Sequence, residues 1–436
     1  MKEKSRGNIR RSGRTKLSGY GKLLTIIGVS FLLLLAGGCA NDVSSKEDLA
    51  PAHVTIGIEQ NQEIQTIVSK ATVTPPISVE VEEKPEESNT LTLGMVGDIL
   101  LHDRVNASGK QKDGTYNYEH LFTNVKEQIE SYDVAIVNQE VILGGTELGL
   151  SGYPAFNGAF EVGDALVEAG FDVVLHATNH ALDKGKKGLL KCLDFWETNY
   201  PDITVLGIQD SKEEQEEIPV IERNGIRVAI LDYTYGTNGI SLPEGMPYVV
   251  NLLDKKKVAS DIKKAKKCSD FILVTPHWGT EYLLTASSNQ KWWANYFLAC
   301  GADLVIGTHP HVIEPVEWVK DQAGNQMLVF YSIGNFINAT SGTGKGVANR
   351  MVGAIAEVTL QKQEDGEVVI SEYGVEPLVS HLGEISTEIT TYRLSDYSTE
   401  LARKNKIRSQ DATFTYPYCK DLCETVFGDL YDLSEE

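Results

Sequence analysis

Two histidines stand one residue apart in Gly307-Thr308-His309-Pro310-His311-Val312, directly after the apolar run Ala302–Ile306. A run of that length reads as a buried strand, so a proline-stiffened turn carries both imidazoles off its C-terminal end. Imidazole is a favoured ligand of zinc, manganese and iron, and two rings this close can face one cation.

Four further apolar runs end in similar chemistry. Leu91–Val96 runs into Gly97-Asp98, and Val134–Val137 into Asn138-Gln139-Glu140. Phe171–Leu175 runs into His176-Ala177-Thr178-Asn179-His180, and Phe271–Thr275 into Pro276-His277-Trp278-Gly279. A lone histidine or aspartate at a strand end is more often a cap or a satisfied polar residue. Five strand ends with one pattern are harder to dismiss, because open α/β sheets bind ligands where the carboxyl ends of their strands converge. Asp98, Glu140, Asn179, His180, His277, His309 and His311 are therefore expected in one cleft. Their mixture of carboxylate, amide and imidazole suits Mn, Fe or Zn.

The elements that must position these residues follow from periodicity. Glu161–Ala169, Lys186–Glu197, Leu253–Lys267 and Asn289–Cys300 carry helical apolar spacing and alternate with the strand-like runs, which argues for an α/β class. Further runs at Thr204–Ile208, Arg227–Leu231, Met327–Tyr331, Val352–Leu360 and Val368–Tyr373 supply enough strands for two packed sheets. About 300 residues remain for this body, ample for one core.

The ordered series Gly97-Asp98, Asn138-Gln139-Glu140, Ala177-Thr178-Asn179-His180-Ala181-Leu182-Asp183-Lys184-Gly185, His277-Trp278-Gly279-Thr280-Glu281-Tyr282, His309-Pro310-His311-Val312 and Ser332-Ile333-Gly334-Asn335-Phe336 resembles the CapA capsule (poly-γ-glutamate) synthesis family, part of the calcineurin-like metallophosphoesterase superfamily. The resemblance spans roughly residues 91 to 380. It implies a four-layer α/β/β/α sandwich and a hydrolase with one or two divalent metal ions, Mn, Fe or Zn. Carried over, Asp98 is the first-strand ligand, Glu140 a bridging carboxylate, Asn179 a ligand and His180 the residue assisting at the leaving group. His277 matches the isolated histidine ligand, and His309 and His311 the terminal pair.

This chain departs from the pattern at three positions. Leu100 stands where the superfamily's Asp-x-His has its histidine, which removes one ligand, with His102 as the nearest substitute. Gln139 replaces a usual leucine, and Glu314 a usual glutamine, which is expected to bring an extra negative charge near the cleft. Metal-bound histidines usually donate their second ring N–H to a carboxylate or carbonyl. Asp183, three residues after His180, and Glu281, four after His277, are placed to do this, and Asn335 to fix a turn.

The ends of the chain differ from this body. Residues 1–22 hold eight Lys or Arg and one Glu, and Leu23–Gly38 is an apolar stretch ending in Leu35-Ala36-Gly37-Gly38-Cys39. That describes an export signal of lipoprotein type with Cys39 lipidated, or else an uncleaved signal anchor. Either places the protein at a bacterial cell membrane on its extracytoplasmic face. Residues 40–90, with scattered Ser, Thr, Glu and Pro, read as a disordered tether with a root-mean-square span on the order of 40 Å. The domain is expected over residues 91–385, and residues 386–436 as a helical extension. Gly342-Thr343-Gly344-Lys345-Gly346 lacks phosphate-loop spacing and is expected to be a mobile loop.

The formal charge is −21, and residues 1–38 are basic, so the remainder stands at about −28. Such a body repels nucleic acid. Lys255–Lys257 and Lys263–Lys267 are the densest basic patch and read most simply as a solvated helix face. Apart from Cys39, the cysteines are Cys192, Cys268, Cys300, Cys419 and Cys423, with no zinc-ribbon spacing. Cys419 and Cys423 either pair or sit as two thiols on one helix. Two functions emerge: a membrane-anchored metal-dependent hydrolase acting on a phosphoester or related bond in an envelope polymer, or a non-catalytic component of a capsule polymer synthesis and export assembly. Either would partner the membrane and capsule polymer synthase subunits.

Overall fold

A computed structural model describes residues 89–385 and 388–431. The expected export signal with Cys39, and the tether as far as residue 88, lie outside the described residues. No helix among the described residues is long and apolar enough to cross a membrane.

Among these residues, fourteen strands form two sheets. In the first, Thr90–Ile99 lies centrally between Val134–Asn138, parallel to it, and Val352–Lys362, antiparallel. Val173–Leu175 and Thr204–Leu206 extend the parallel side, while Val368–Leu382 and Ile389–Arg393 extend the antiparallel side. Asn335–Ile337 pairs with the far end of Thr90–Ile99. The second sheet runs through Val220–Arg223, Ile226–Thr234, Phe271–His277, Leu304–Ile306, Gln326–Phe330 and Val316–Lys320.

Period-two alternation explains the layers. Leu91, Leu93 and Met95 point between the sheets, where they meet Val134, Ile136, Val228, Ile230, Leu273 and Leu304. The residues between them on the parallel strands, Ala135, Val137 and Val174, face the opposite way onto the helices that carry Val162, Leu166, Leu189 and Trp196. Outside the second sheet, Ala229, Val274 and Val305 bury Val258, Ile262, Trp293 and Phe297 of the helices Lys255–Ala265 and Ser288–Cys300. Strands buried on both faces read as continuous apolar runs. The architecture is the expected four-layer α/β/β/α sandwich.

The C-terminal segment differs from the helical extension expected. Ile389–Arg393 is a strand of the first sheet, and only then do the helices Thr399–Lys404 and Tyr416–Phe427 follow. Ile389, Ile407, Phe414 and Phe427 share the same core as Val96 and Val137. The alternation in Ile389-Thr390-Thr391-Tyr392-Arg393 is too short to announce a strand without its partner.

Cys419 and Cys423 are both buried and free on the last helix. Gly342–Gly346, expected to be mobile, is tied down by this same segment. Gly344 N donates to Gln410 O at 3.0 Å, and Gly346 N to an Asp411 carboxylate oxygen at 2.9 Å. The lysine patch forms a helix face, in which Lys257 pairs with Asp261 at 2.9 Å.

Candidate metal centre

Each candidate ligand leaves the C-terminal end of a strand or the loop directly after it. Asp98 lies at a register irregularity of its strand, where Gly97 allows a close approach: a Cβ there would lie 1.9 Å from the Gly334 carbonyl oxygen. His309 and His311 both adopt positive φ, at 96° and 59°. This conformation costs a non-glycine residue on the order of 1–3 kcal/mol. It bends the chain sharply at both histidines, so that their rings meet the carboxylates of the cleft from one tight turn.

The structure brings Asp98, Glu140, Asn179, His180, His277, His309 and His311 together, all buried. Ligand atoms of Glu140, His277 and His309 lie within 4.8 Å of one another, and so do those of Asp98, Glu140 and His311. Glu140 is common to both groups. Its Oε1 stands 3.7 Å from His277 Nε2 and 3.9 Å from His180 Nε2, and its Oε2 3.7 Å from His311 Nδ1. Asn179 Oδ1 meets His277 Nε2 at 2.8 Å.

The decisive feature is what these atoms lack. Both carboxylate oxygens of Glu140, with no exposure, and Nδ1 of His309 have no hydrogen-bond partner. A buried carboxylate without donors costs several kcal/mol, and such groups pair or coordinate metals. The protonation states of His277 and His309 suit ligation, whereas Glu140 and His311 must give up a proton to ligate. Burial pushes the Glu140 carboxyl well above its ordinary range; His311 opposes this and Asp98 adds to it. Burial also holds the His277 and His309 imidazoles well below theirs, hence neutral, with neighbouring histidines adding to the effect. Burial would lower His311 too, but Glu140 and Asp98 outweigh it and carry the ring to about 9. Glu140, Asp98 and His311 would hold a cation only with that proton released, its charge then replacing the proton's.

Surrounding residues fix the ligands. Asp183 Oδ2 meets His180 Nδ1 at 2.6 Å, as its spacing suggested. Asn335 Oδ1 lies 3.1 Å from His311 Nδ1. Glu281 does not orient His277; it is exposed and groups with His309 and His311. Thr308 Oγ1 occupies that role, 2.9 Å from His277 Nδ1. A loop residue four positions on has no helical register to bring it back, whereas Thr308 sits on the adjacent strand's extension.

Two more residues escaped sequence reasoning. Asn138 Nδ2 donates to Asp98 Oδ1 at 2.7 Å. Asn238 reaches both Asn179 and His180, at 3.2 and 3.4 Å. Asn138 belongs to a motif already singled out, whereas Asn238 lies in a loop with no signal of its own.

The departures also find their places. Leu100 lines the cleft beside His311, so the missing ligand belongs on the Asp98–His311 side. His102 does not replace it. It joins neither ligand group, packs edge-on against Phe156 at 5.4 Å, and is pushed by burial to about 4. Glu314, expected near the cleft, is instead fully buried behind it, where it accepts a hydrogen bond from Gln290. Burial raises its carboxyl to about 7. The donor set, the unsatisfied oxygens of Glu140 and the neutral imidazoles of His277 and His309 are thus compatible with divalent metal ions.

Comparison with known proteins matches these elements to a family. Residues 92–340, more than half of the chain, match the family described as bacterial capsule synthesis protein PGA_cap. The chain is 30% identical over 271 residues to the capsule biosynthesis protein CapA of Bacillus anthracis, covering 58% of this chain and 61% of that one. It is 32% identical over 173 residues to the PGA biosynthesis protein CapA of Bacillus subtilis, covering 39% and 44%. The alignments thus span less than two thirds of either relative. Among solved structures, the calcineurin-like phosphoesterase YfkN of Bacillus subtilis is similar at 11% identity and a TM-score of 0.39, over 76% of this chain and 99% of that one. The NAD nucleotidase of Haemophilus influenzae is similar at 12% identity and 0.41, over 67% and 52%. With more than half of its length matched and its strand-end motifs gathered in one cleft, the chain belongs to the PGA_cap family of bacterial capsule synthesis proteins.

Proposed function

We propose that this protein is an extracytoplasmic, membrane-anchored, metal-dependent hydrolase that acts on a phosphoester or related bond during synthesis or processing of a capsule polymer such as poly-γ-glutamate. The observation that carries this reading is the bare, fully buried Glu140 carboxylate shared by two groups of ligand atoms. Glu140, Asn179, His277 and His309 would hold one cation, and Asp98, Glu140 and His311 a second. A divalent pair of Mn, Fe or Zn supplies Lewis acidity, lowering the pKa of water and neutralising charge on a phosphoryl group.

The chain's own residues do the rest. Asp183 accepts from Nδ1 of His180 and fixes its tautomer, which leaves Nε2 facing Glu140 to hold or release a proton beside a leaving oxygen. Phe156 sets its edge against the His180 ring at 4.7 Å and keeps water off that side. Asn138 orients Asp98, and Thr308 orients His277.

Elemental analysis of the purified full chain, dialysed free of loose ions, tests this. On the order of two transition-metal ions per chain is expected, the one on the Asp98–His311 side held more weakly because Leu100 contributes nothing. No retained metal after incubation with excess Mn or Zn would sink the reading. Leu100 favours a second one: a non-catalytic, anchored component of a polymer synthesis assembly. In that case His180→Ala would leave polymer output in cells unchanged at equal protein abundance.

A further inference from the structure

The cleft beside the metal centre is lined by Leu100, His102, Phe156, Tyr282, His311 and Arg350, among others. Of its described lining residues, only Arg350 carries a permanent positive charge. The arginines that form ion pairs among the described residues are Arg227, Arg393 and Arg403; Arg350 is not one of them. Its Nε is buried without a hydrogen-bond partner, and one terminal nitrogen makes a long contact of 3.5 Å to Thr340 Oγ1. The residue is half-buried, so the terminal nitrogens remain open to a ligand in the cleft while Nε lacks a partner.

The surroundings hold this cation in place. Its central carbon lies 3.5 Å from the centroid of the Tyr282 ring, a cation–π contact. Tyr282 itself has a φ of 69° and donates its backbone N–H to Pro310 O at 2.8 Å, so the ring is fixed to the turn that carries His309 and His311. That is a strained backbone for a tyrosine. The Arg350 carbonyl accepts from Asn335 Nδ2 at 2.9 Å and from Asn338 Nδ2 at 3.0 Å. Asn335 Nδ2 also donates to His311 O at 3.0 Å. Arg350 is therefore fastened at both ends to the loop that carries two candidate metal ligands, while among the described residues no carboxylate, not even that of Glu281 in the same cleft, forms an ion pair with it.

We propose that Arg350, stacked on Tyr282, receives an oxyanionic group of the substrate, a carboxylate or a phosphate, next to the group that meets the metal-ligand cluster. A guanidinium fork matches both oxyanions through paired N–H donors. The substrate class is then a molecule with a reacting group and a neighbouring oxyanion. Arg350 is the local cation that lets so acidic a chain admit an anion, in a cleft whose one described carboxylate is that of Glu281. The inference rests on reading this cleft as the reaction site.

Titration calorimetry on the full chain, with inorganic phosphate and separately with glutarate, tests it. Each anion is titrated with and without Mn loading. Arg350→Gln is expected to weaken the preferred anion at least tenfold in both states, with metal content per chain unchanged. Arg350→Lys keeps the charge without the fork and should recover part of the affinity. The stronger of the two anions identifies the group as phosphate or carboxylate. Wild-type binding of neither anion, or equal binding by wild type and Arg350→Gln, overturns the proposal. Should Arg350→Gln lose metal or melt early, Arg350→Lys decides, and unchanged affinity there also overturns it. Arg350-dependent binding in a chain that retains no metal leaves this inference standing while the hydrolase reading falls; the reverse result separates them the other way.

Discussion

Asp232 and Glu140 are both buried carboxylates near the C-terminal ends of parallel strands, yet their surroundings are opposites. Asp232 accepts from Ala177 N at 2.8 Å and Thr275 Oγ1 at 3.1 Å. It ties the loop before Asn179 and His180 to the second sheet. Glu140 accepts from nothing and faces three imidazoles. Burial raises both carboxyls, Asp232 to about 8. Desolvation therefore does not distinguish a structural carboxylate from a ligand; the presence or absence of donors does. The same holds for histidines. His176 is as buried as His277, but its Nε2 accepts from Trp196 Nε1 at 3.1 Å, and it serves the core.

The contrast fails if the two carboxylates respond alike to substitution. The largest effect is expected for Glu140→Gln. Metal content should fall by at least one ion per chain and hydrolytic activity by about 10³-fold, since the shared ligand of both groups is lost. Its thermal melt without metal should not drop, because the carboxyl that is replaced accepts no hydrogen bond in the fold. A destabilised metal-free protein would place Glu140 with Asp232.

Asp232→Ala should show the opposite signature. Urea unfolding should reveal a loss of about 3 kcal/mol, because the buried Ala177 N–H is left unpaired and a void opens. Metal retention in the folded fraction should persist.

Asp183→Asn sharpens the comparison between ligand and orienting carboxylate. Activity is expected to fall 10- to 100-fold with metal content intact, and the pH–rate profile should shift as the His180 tautomer is released. An unchanged profile would make Asp183 a structural partner alone.

The smallest effect concerns Glu314. Its raised carboxyl means that the folded state binds the proton more tightly than the unfolded one. The resulting stability is present in full below the ordinary glutamate value near 4.5 and is lost as pH rises through about 7. Glu314→Gln should flatten this dependence and stabilise the protein by about 1 to 2 kcal/mol at pH 8, read as melting temperature against pH. A slope that survives the substitution would move its origin to the other carboxyls that burial raises, Glu376 to about 7, Asp303 to about 6 and Asp232 to about 8.

Much of the site was legible because its chemistry sits at the ends of apolar runs. Strand ends declare themselves by a change from β-branched residues to Asp, Asn, Glu or His, and parallel sheets force those ends to one edge. The helices Glu161–Glu168 and Gly185–Asn199 were legible for a related reason: the 3.6 periodicity survives in any context. The strand Ile389–Arg393 was not legible, because a short strand is defined by its partner.

The sequence by itself determined the class of fold, the ligand types and the edge of the sheet where they gather, since these depend on local pattern and connectivity. Only the tertiary structure decided which polar groups remain unanswered. It placed Glu140 without donors and Asp232 with them, sent Glu314 behind the cleft and Glu281 away from His277, and left Arg350 unpaired on Tyr282. Hydrogen-bond satisfaction and desolvation are sums over neighbours from distant parts of the chain, and no local stretch of residues contains them.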